Sequence, residues 1–351
     1  MKDIAKRFPE NPLLSPADIV PSQEGLQVAC LLNPGVFQFD GKIWMIVRVA
    51  ERPEQRGDAI SFPILTETGV KIINIPIDDP ELNAKDARVI KYKGIDYLTT
   101  LSHLRLVCSQ DGRKFIEPEG YYPLIGQGLL ESFGIEDCRV SYLDGVYYLT
   151  YTAVSPNGVG VGLRTTRDWK NFRSHGMIFP PHNKDCAIFE EKIKGMFFAL
   201  HRPSSLEIGG NFIWIASSID GIHWGNHQCI LKTRENSWDS SRIGAGASPI
   251  KTEQGWLSIY HGANRDNQYC LGAFLMDLQD PSKVIARTLV PIMMPIEEYE
   301  LAGFFGKVVF TNGHVKSPDN DTLIVYYGAS DEFVCGAEFS IKEIISLLQY
   351  S

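Results

Sequence analysis

Apolar and polar positions alternate along this chain in short bursts rather than in helical waves. The clearest bursts are KIWMIVRVA (42–50), VYYLTYTA (146–153), MFFALHRP (196–203), NFIWIASS (211–218), WLSIYHGA (256–263) and TLIVYYGA (322–329). Each is rich in aromatic and β-branched residues, with Gly, Asn and Asp in the gaps. That pattern predicts strands joined by tight turns. Helical spacing shows only toward the chain ends. SIKEIISLLQY (340–350), with Ser340 placed to cap it, predicts a short C-terminal helix.

The bursts repeat. DARVIKYKGIDYLTTLS from Asp86, DCRVSYLDGVYYLTYTA from Asp137 and DCAIFEEKIKGMFFALH from Asp185 share one layout, roughly 50 residues apart. ASPIKTEQGWLSIYHG from Ala247 continues it, and the stretches from Asn33 and Asn312 read as first and last members. A second recurring element, SQDGRKF (109–115), TTRDWKNF (165–172) and SSIDGIHW (217–224), reads as a turn whose aromatic packs back on the next strand. Four short strands per repeat at this period predict an all-β fold, a β-propeller. Six first-strand signals are present, but the terminal ones are incomplete, so five blades closed by both termini fit as well as six. Residues 1–351 are expected to form one such domain. The innermost strand of each blade lines a central channel, so Asn33, Asp86, Asp137 and Asp185 would gather at one mouth. An Asp at a strand start commonly does no more than cap a turn. Recurrence at a channel-facing position, with Arg88 and Arg139 close behind, puts a role in an axial pocket on equal footing for Asp137.

Composition narrows the function. A formal net charge of −8 argues against wholesale binding to nucleic-acid phosphates. The 7 cysteines stand singly, with no CxxC pair, and read as reduced, mostly buried thiols rather than zinc or redox ligands. No apolar run of about 18 residues and no signal-peptide core are visible, so a cytoplasmic protein without a membrane partner is expected. The sequence leaves room for a homo-oligomer. Phosphate-loop, zincin and nucleophile-elbow motifs are absent. GVGVGLRTT (158–166) has alternating glycines but no following helix, and reads as close strand packing.

The remaining candidates are polar and aromatic. Glu136, Asp137, Asp185, Glu190, Glu191 and Asp331 form an acidic set; Arg48, Arg139, Lys184, Arg202 and Arg242 form a basic set at strand ends. His201, Tyr260, His261, Tyr326 and Tyr327 are interleaved with them. Carboxylates, aromatics and hydroxyls in a concave mouth suit carbohydrate. A glycosidase needs an acid for the leaving oxygen, and an inverting hydrolase needs a base for water as well. A phosphorylase dispenses with that base, because phosphate is already an anionic nucleophile and needs cations to hold it. Taken singly, each Arg or Lys reads more simply as half of a surface ion pair.

Several stretches taken in order carry a resemblance: GIEDCRV (134–140), NKDCAIFEEKIKGMFFALHRPS (183–204), IHWGNH (222–227), DSSRIGAGASPIKTEQGWLSIYHGA (239–263), LGAFLMDLQDPSKVIART (271–288) and YYGASD (326–331). Through them the chain resembles glycoside hydrolase family 130, the inverting β-mannoside phosphorylases and related β-mannosidases. RVAERP (48–53), TTLSHLRLVCSQDG (99–112) and GFFGKVVF (303–310) resemble the branch acting on β-1,2-linked mannobiose and oligomannan. The resemblance implies a five-bladed propeller with Asp137 as general acid. It implies phosphate ligands at Lys184, Arg202, Arg242 and Tyr260, and mannoside ligands at Asn33, Arg48, Glu136 and Asp331. Asp185 would orient Lys184 or bind sugar. It further implies a β-mannoside oligosaccharide and inorganic phosphate as substrates, with no cofactor and no metal. Cys138 replaces the Pro or Ala usual after the acid, Arg242 stands where many members have Lys, RPSSLEIGG (202–210) lacks the His of the mannosyl-glucose branch, and Lys307 stands where relatives often have Asp. The acceptor is therefore left open. The readings are an inverting β-1,2-mannoside phosphorylase, an inverting exo-β-1,2-mannosidase using Glu190, Glu191 or Glu207 as base, a β-1,4-mannoside phosphorylase, and a sugar-binding propeller or scaffold without turnover.

Overall fold

Strand-forming bursts separated by turns give five blade sheets in chain order, with two small sheets besides, in a computed structural model that describes residues 3–55, 57–85, 89–204 and 208–350. Blade 1 consists of Leu26–Phe39, Lys42–Pro53 and Leu101–Ser109. Blade 2 is Ile135–Leu143, Val146–Ser155, Gly158–Thr166 and Phe172–Phe179. Blade 3 is Asn183–Ile188, Phe197–Pro203, Ile213–Ser218 and Gly225–Leu231. Blade 4 starts with Arg242–Ala245 and Ile250–Lys251, continues through Trp256–Ala263, Tyr269–Met276 and Val284–Thr288, and takes Leu348–Tyr350 from the C-terminus as its outer strand. Blade 5 is Val309–Lys316, Thr322–Ala329 and Phe333–Ser340, with Lys6–Arg7 from the N-terminus outermost. All pairings within the blades are antiparallel, and the predicted C-terminal helix is Ile341–Ser346, capped by the Ser340 hydroxyl.

The core explains why the sheets form a ring. A sheet with two apolar faces must bury both. Each neighbouring pair of blades shares its own apolar cluster, such as Trp44, Leu106, Val140 and Leu149 between blades 1 and 2. The same holds for blades 2 and 3, 3 and 4, and 4 and 5. Met45, Val47, Val315 and Tyr326 make the fifth cluster, between blades 5 and 1, and so close the ring. First strands are buried nearly throughout, whereas a last strand such as Phe172–Phe179 is largely accessible. The recurring turn element is the same local device in three blades. Asp111, Asp168 and Asp220 each accept backbone N–H bonds from the residues two and three ahead. Trp169 from one of these turns stacks on Phe37 at 3.6 Å.

The sixth repeat signal is not a blade. Asp86 and Arg88 lie outside the described residues, and the rest of that stretch forms Val89–Tyr92 and Ile95–Leu98 in a small separate sheet with Leu82–Asn83. Together with the hairpin Ala59–Thr66 and Gly69–Pro76, it is an insertion between the second and third strands of blade 1. It carries a satellite core of Phe62, Ile75 and Ile90. Alternation around a Lys93-Gly94 turn announces a hairpin, but a hairpin pattern is local, and blade membership is decided by which sheet edge the strands meet. No described helix is long and apolar enough to cross a membrane.

Candidate active site

The repeat places a β-bulge in the first strand of several blades. Register shifts fall between Leu32 and Gly35, Glu136 and Arg139, Lys184 and Ala187, and Thr311 and Gly313. An extra residue in one strand of a pair re-aims its side chain. Here the extra residues include Asn33, Asp137 and Asp185, with φ of 36°, 48° and 54°. Asn and Asp tolerate that left-handed backbone better than most residues. The bulge is therefore what turns polar side chains toward the axis from strands otherwise buried in apolar surroundings. Close approach of the strands is enforced at Gly35, where an added Cβ would stand 2.6 Å from the Cys138 carbonyl oxygen.

One cavity of about 430 Å³ at that mouth is lined by Asn33, Arg48, Glu136, Asp137, Lys184, Arg202, Arg242 and Asp331, among others. Arg48 forks across the acid pair: Nη1 donates to Asp137 Oδ1 at 3.2 Å and Nη2 to Glu136 Oε1 at 2.8 Å, while Nε donates to Ser102. Asn33 Nδ2 donates to the same Asp137 oxygen at 3.0 Å, and Asn312 in turn donates to the Asn33 carbonyl. Burial pushes the Asp137 carboxyl up, but Arg48, Lys184, the Asn33 bond and Arg139 outweigh it and hold it below the ordinary carboxylate range. Asp331 goes the other way. Its burial, reinforced by Asp137 and Glu136 and only partly offset by Arg48, raises it to about 6.

Three cations line the cavity, each held differently. The Lys184 side chain makes no hydrogen bond or ion pair among the described residues, and the residue sits directly across the ladder from Arg202. Arg202 is paired with Asp185, at 2.6 Å. Arg242 donates to the Tyr269 hydroxyl and to Asn267. Beneath them Arg139, 1% exposed, ties the assembly together. It donates to the Asp137 and Gly246 carbonyls and to Asp185 Oδ1. A second cavity, about 660 Å³, lies at the far ends of the same first strands and is lined by Tyr142, Glu190, Glu191, Lys251 and His314. It is the larger, but Asp137, Lys184, Arg202 and Arg242 are not in it.

The sequence profile of glycoside hydrolase family 130, described as β-1,4-mannooligosaccharide phosphorylase, matches residues 87–350. The chain belongs to glycoside hydrolase family 130. It is 41% identical over 352 residues to the β-1,2-mannobiose phosphorylase of Listeria innocua, with 98% of each chain covered. The structure of that Listeria enzyme in complex with β-1,2-mannobiose superposes on this chain with a TM-score of 0.92, again over 98% of both. A 1,2-β-oligomannan phosphorylase from Thermoanaerobacter is 38% identical over 250 residues, 70% of this chain and 80% of that one.

Of the ten residues to which the resemblance gave a role at the site, eight line one cavity, and Tyr260 and Asp185 do not. Tyr260 has no exposed surface; its hydroxyl donates to Asp239 and accepts from Arg287, so it belongs to the packing between blades 3 and 4. Asp185 is 1% exposed and lies behind Arg202 instead of lining the cavity. It is flanked by Arg139 and Arg202, and His261 Nε2 is 3.2 Å away. Gly244 makes room for this group, since a Cβ there would collide with the Asp185 carboxylate and the His261 ring. His201, His261, Tyr326 and Tyr327 are likewise buried away from the cavity. Its aromatic lining is instead Tyr269, Phe304, Phe305 and Phe310, which sequence reasoning passed over. Tyr269 was findable from register, because Arg242, Ala263 and Tyr269 stand in one row across three strands of blade 4. Glu190 and Glu191 line the opposite cavity, and Glu207 lies outside the described residues.

Proposed function

We propose that this chain is an inverting phosphorylase of β-1,2-linked mannobiose or short oligomannan, releasing α-mannose 1-phosphate. The observation that carries the reading is the cross-strand pair Lys184 and Arg202, joined by Arg242, in the cavity that holds Asp137. Like charges directly opposite each other in a ladder are destabilising. Asp185 neutralises one of them, and the remaining excess of positive charge is a seat for an anion. The names of the relatives at 41% and 38% identity supply the β-1,2 linkage and the use of phosphate.

In this mechanism phosphate sits on Lys184, Arg202 and Arg242 and attacks C1 of the terminal mannosyl unit from the face opposite the leaving oxygen. Asp137 gives that oxygen its proton. Asn33, Arg48, Glu136 and Asp331 hold the mannosyl ring, while Asp185 and Arg139 position the cations and the acid from behind. Asp137 is held ionised in the free protein by neighbouring cations. A phosphate anion offsets Lys184, and a bound sugar dries the cavity. Both changes raise the carboxyl toward the protonated form the acid role needs. The whole chain acts as one catalytic domain, in the cytoplasm, without metal or cofactor. Hydrolysis by the same fold needs a base for water, and Glu190 and Glu191 are at the wrong mouth for it.

The deciding experiment is incubation with β-1,2-mannobiose, with and without inorganic phosphate, following α-mannose 1-phosphate and free mannose separately. Sugar phosphate formed only when phosphate is supplied is the expected result. Mannose released at the same rate without phosphate would make the protein a mannosidase and overturn the reading. Turnover of β-1,4-mannobiose in preference would correct the linkage.

A further inference from the structure

The ring has two mouths, and only one of them holds Asp137 and the three cations. In blade 2, Glu136 lies near the start of the strand Ile135–Leu143 and Tyr142 near its end, about 20 Å apart at the rise of a strand. The second cavity, about 660 Å³, opens at that far end and takes a side chain from each of the five blades: Asp40, Tyr142, Glu190, Lys251 and His314. Buried groups fill the axis between the two cavities. Arg139 reaches the Gly246 carbonyl of blade 4 and the Asp185 carboxylate of blade 3. Below it the Ser141 hydroxyl meets the Ser248 hydroxyl at 2.7 Å and donates to the Ile188 carbonyl at 2.8 Å. The far cavity is therefore a separate place and not a rear entrance to Asp137.

Its chemistry differs from that of the Asp137 cavity. In place of an excess of cations it offers both signs of charge. Lys251 is paired with Glu191 and lies over the buried Trp256 ring. That leaves Asp40 and Glu190 against Lys316, beside a His314 imidazole that burial keeps neutral, with its pKa lowered to about 4. Glu190 is reached by water and, among the described residues, accepts only the Tyr142 N–H, at 2.9 Å. The Tyr142 hydroxyl, the His314 ring and the Lys316 ammonium make no hydrogen bond or ion pair among the described residues. Tyr142 is 49% exposed, and Tyr147 braces its ring at 4.6 Å. A concave surface with an accessible ring and spare donors and acceptors of both signs selects neither an anion nor a cation. It suits a neutral polyol with an apolar face, which describes a pyranose, and its volume is within the roughly 300–1,000 Å³ of small-molecule sites.

We propose that the far mouth is a second, non-catalytic carbohydrate site, holding a hexose unit of a β-mannoside with Tyr142 against its C–H face and Glu190 and His314 on its hydroxyls. The choice of a mannoside rests on the phosphorylase reading above. The site contributes no group to the reaction, because the buried plug around Arg139, Ser141 and Ser248 stands between it and Asp137. Its effect is to keep a second mannoside unit on the protein, and that binding is separable from binding in the Asp137 cavity.

The test is saturation-transfer NMR with β-1,2-mannobiose in phosphate-free buffer, on the full chain. Arg48→Ala should weaken binding in the Asp137 cavity and leave binding at the far mouth. Adding Tyr142→Ala or Glu190→Gln to Arg48→Ala should raise the remaining Kd by roughly 3- to 10-fold, the scale of one ring contact or one hydrogen bond to a charge. Both side chains are accessible to water, so neither change should lower the melting temperature further. Hydrogen exchange of the wild type needs no substitution: the disaccharide should protect amides in 38–41 and 189–191 as well as those beside Asp137. Protection confined to the Asp137 side, loss of all binding in a folded Arg48→Ala, or residual binding that ignores both far-mouth substitutions would overturn the second site alone. A changed assembly state in the Tyr142→Ala protein with sugar binding unmoved would do the same and identify the far mouth as a contact between copies. A wild type that shows the far-mouth protection but forms no sugar phosphate would overturn the phosphorylase reading and leave the site standing. A wild type that binds the disaccharide at neither mouth would take down both.

Discussion

At the scale of single residues, two carboxyls in one cavity shift in opposite directions although Arg48 and Lys184 pull both of them down. Asp137 is lowered by Arg48 and Lys184, against its burial, and Asp331 is raised by burial. If Asp137 is the proton donor, Asp137→Asn should stay folded, because Asn accepts the same left-handed backbone and can still take the bonds from Asn33 and Arg48. Its turnover of β-1,2-mannobiose should fall by roughly 10²–10⁴-fold; near-normal turnover would remove Asp137 from the mechanism. The wild-type pH profiles should also separate. A general acid loses activity as pH rises through its pKa, so the falling limb of kcat/KM, which reports the free enzyme, should lie at lower pH than that of kcat. Asp331 makes a stability prediction with its own sign. A carboxyl whose folded pKa of about 6 exceeds its unfolded value contributes nothing below about pH 4. Between about pH 4 and 6 its ionisation weakens the fold, and the penalty persists above. Asp331→Asn should therefore raise stability at pH 7 by about 1–3 kcal/mol, with the gain vanishing by pH 4, while weakening substrate binding. Thermal melts at the two pH values check this, and an equal shift at both would contradict it.

At the scale of elements, the bulge is the device that makes chemistry from a repeat. The recurrence of Asn33, Asp137 and Asp185 at one place in the layout was legible because side-chain type and position repeat together. The bulge also shifts the register, so the sequence could not tell which residue of a pair faces the axis and which lies behind it. That is why Lys184 and Arg202 come out in the cavity while Asp185 comes out beneath it, and why Tyr260, on a strand buried on both faces, reads like a ligand and is packing. The hairpin after Asp86 looked like a blade for the same reason: alternation identifies a strand pair but not its sheet. Lys184 tests the element-level argument directly. Facing Arg202 with no side-chain hydrogen bond or ion pair among the described residues, and offset only through space by Asp137 and Asp331, it keeps its donors for an arriving anion. Wild-type protein at phosphate about 100-fold above its Kd should gain about 2.7 kcal/mol of stability. Lys184→Met should lose most of that phosphate-dependent shift. A full shift in the variant would show that the anion sits elsewhere.

At the scale of the molecule, the ring is closed by chain ends rather than by a sixth blade. Incomplete first and last repeats leave five blades closed by the termini on equal footing with six, because a terminal strand with no hairpin partner must borrow one. The C-terminal strand completes blade 4 and the N-terminal strand completes blade 5, so the two ends lock adjacent blades. The N-terminal lock is charged as well as paired. Arg7 donates to Glu300, whose side chain is fully buried and also accepts from the Tyr327 hydroxyl and two backbone N–H groups. Phe8, next along, is 4% exposed and lies under the Arg113 guanidinium. Removing one partner of a buried pair leaves the other charge unsolvated, which costs about 3 kcal/mol or more. Arg7→Ala should therefore lower the melting temperature by roughly 4–7 °C. Arg7→Met combined with Glu300→Gln should recover part of that loss, since one of the two carboxylates that Arg7 bridges is neutralised, while Asp3 stays without its cation. Arg7 does not line the axial cavity, so kcat/KM at 25 °C should stay within about 2-fold of wild type as long as the Glu298–Leu301 turn, which leads into the cavity-lining Phe304, Phe305 and Val308, keeps its place. If instead Arg7→Ala melts like the wild type, strand pairing and Phe8 alone hold the ring shut and the ion pair is incidental.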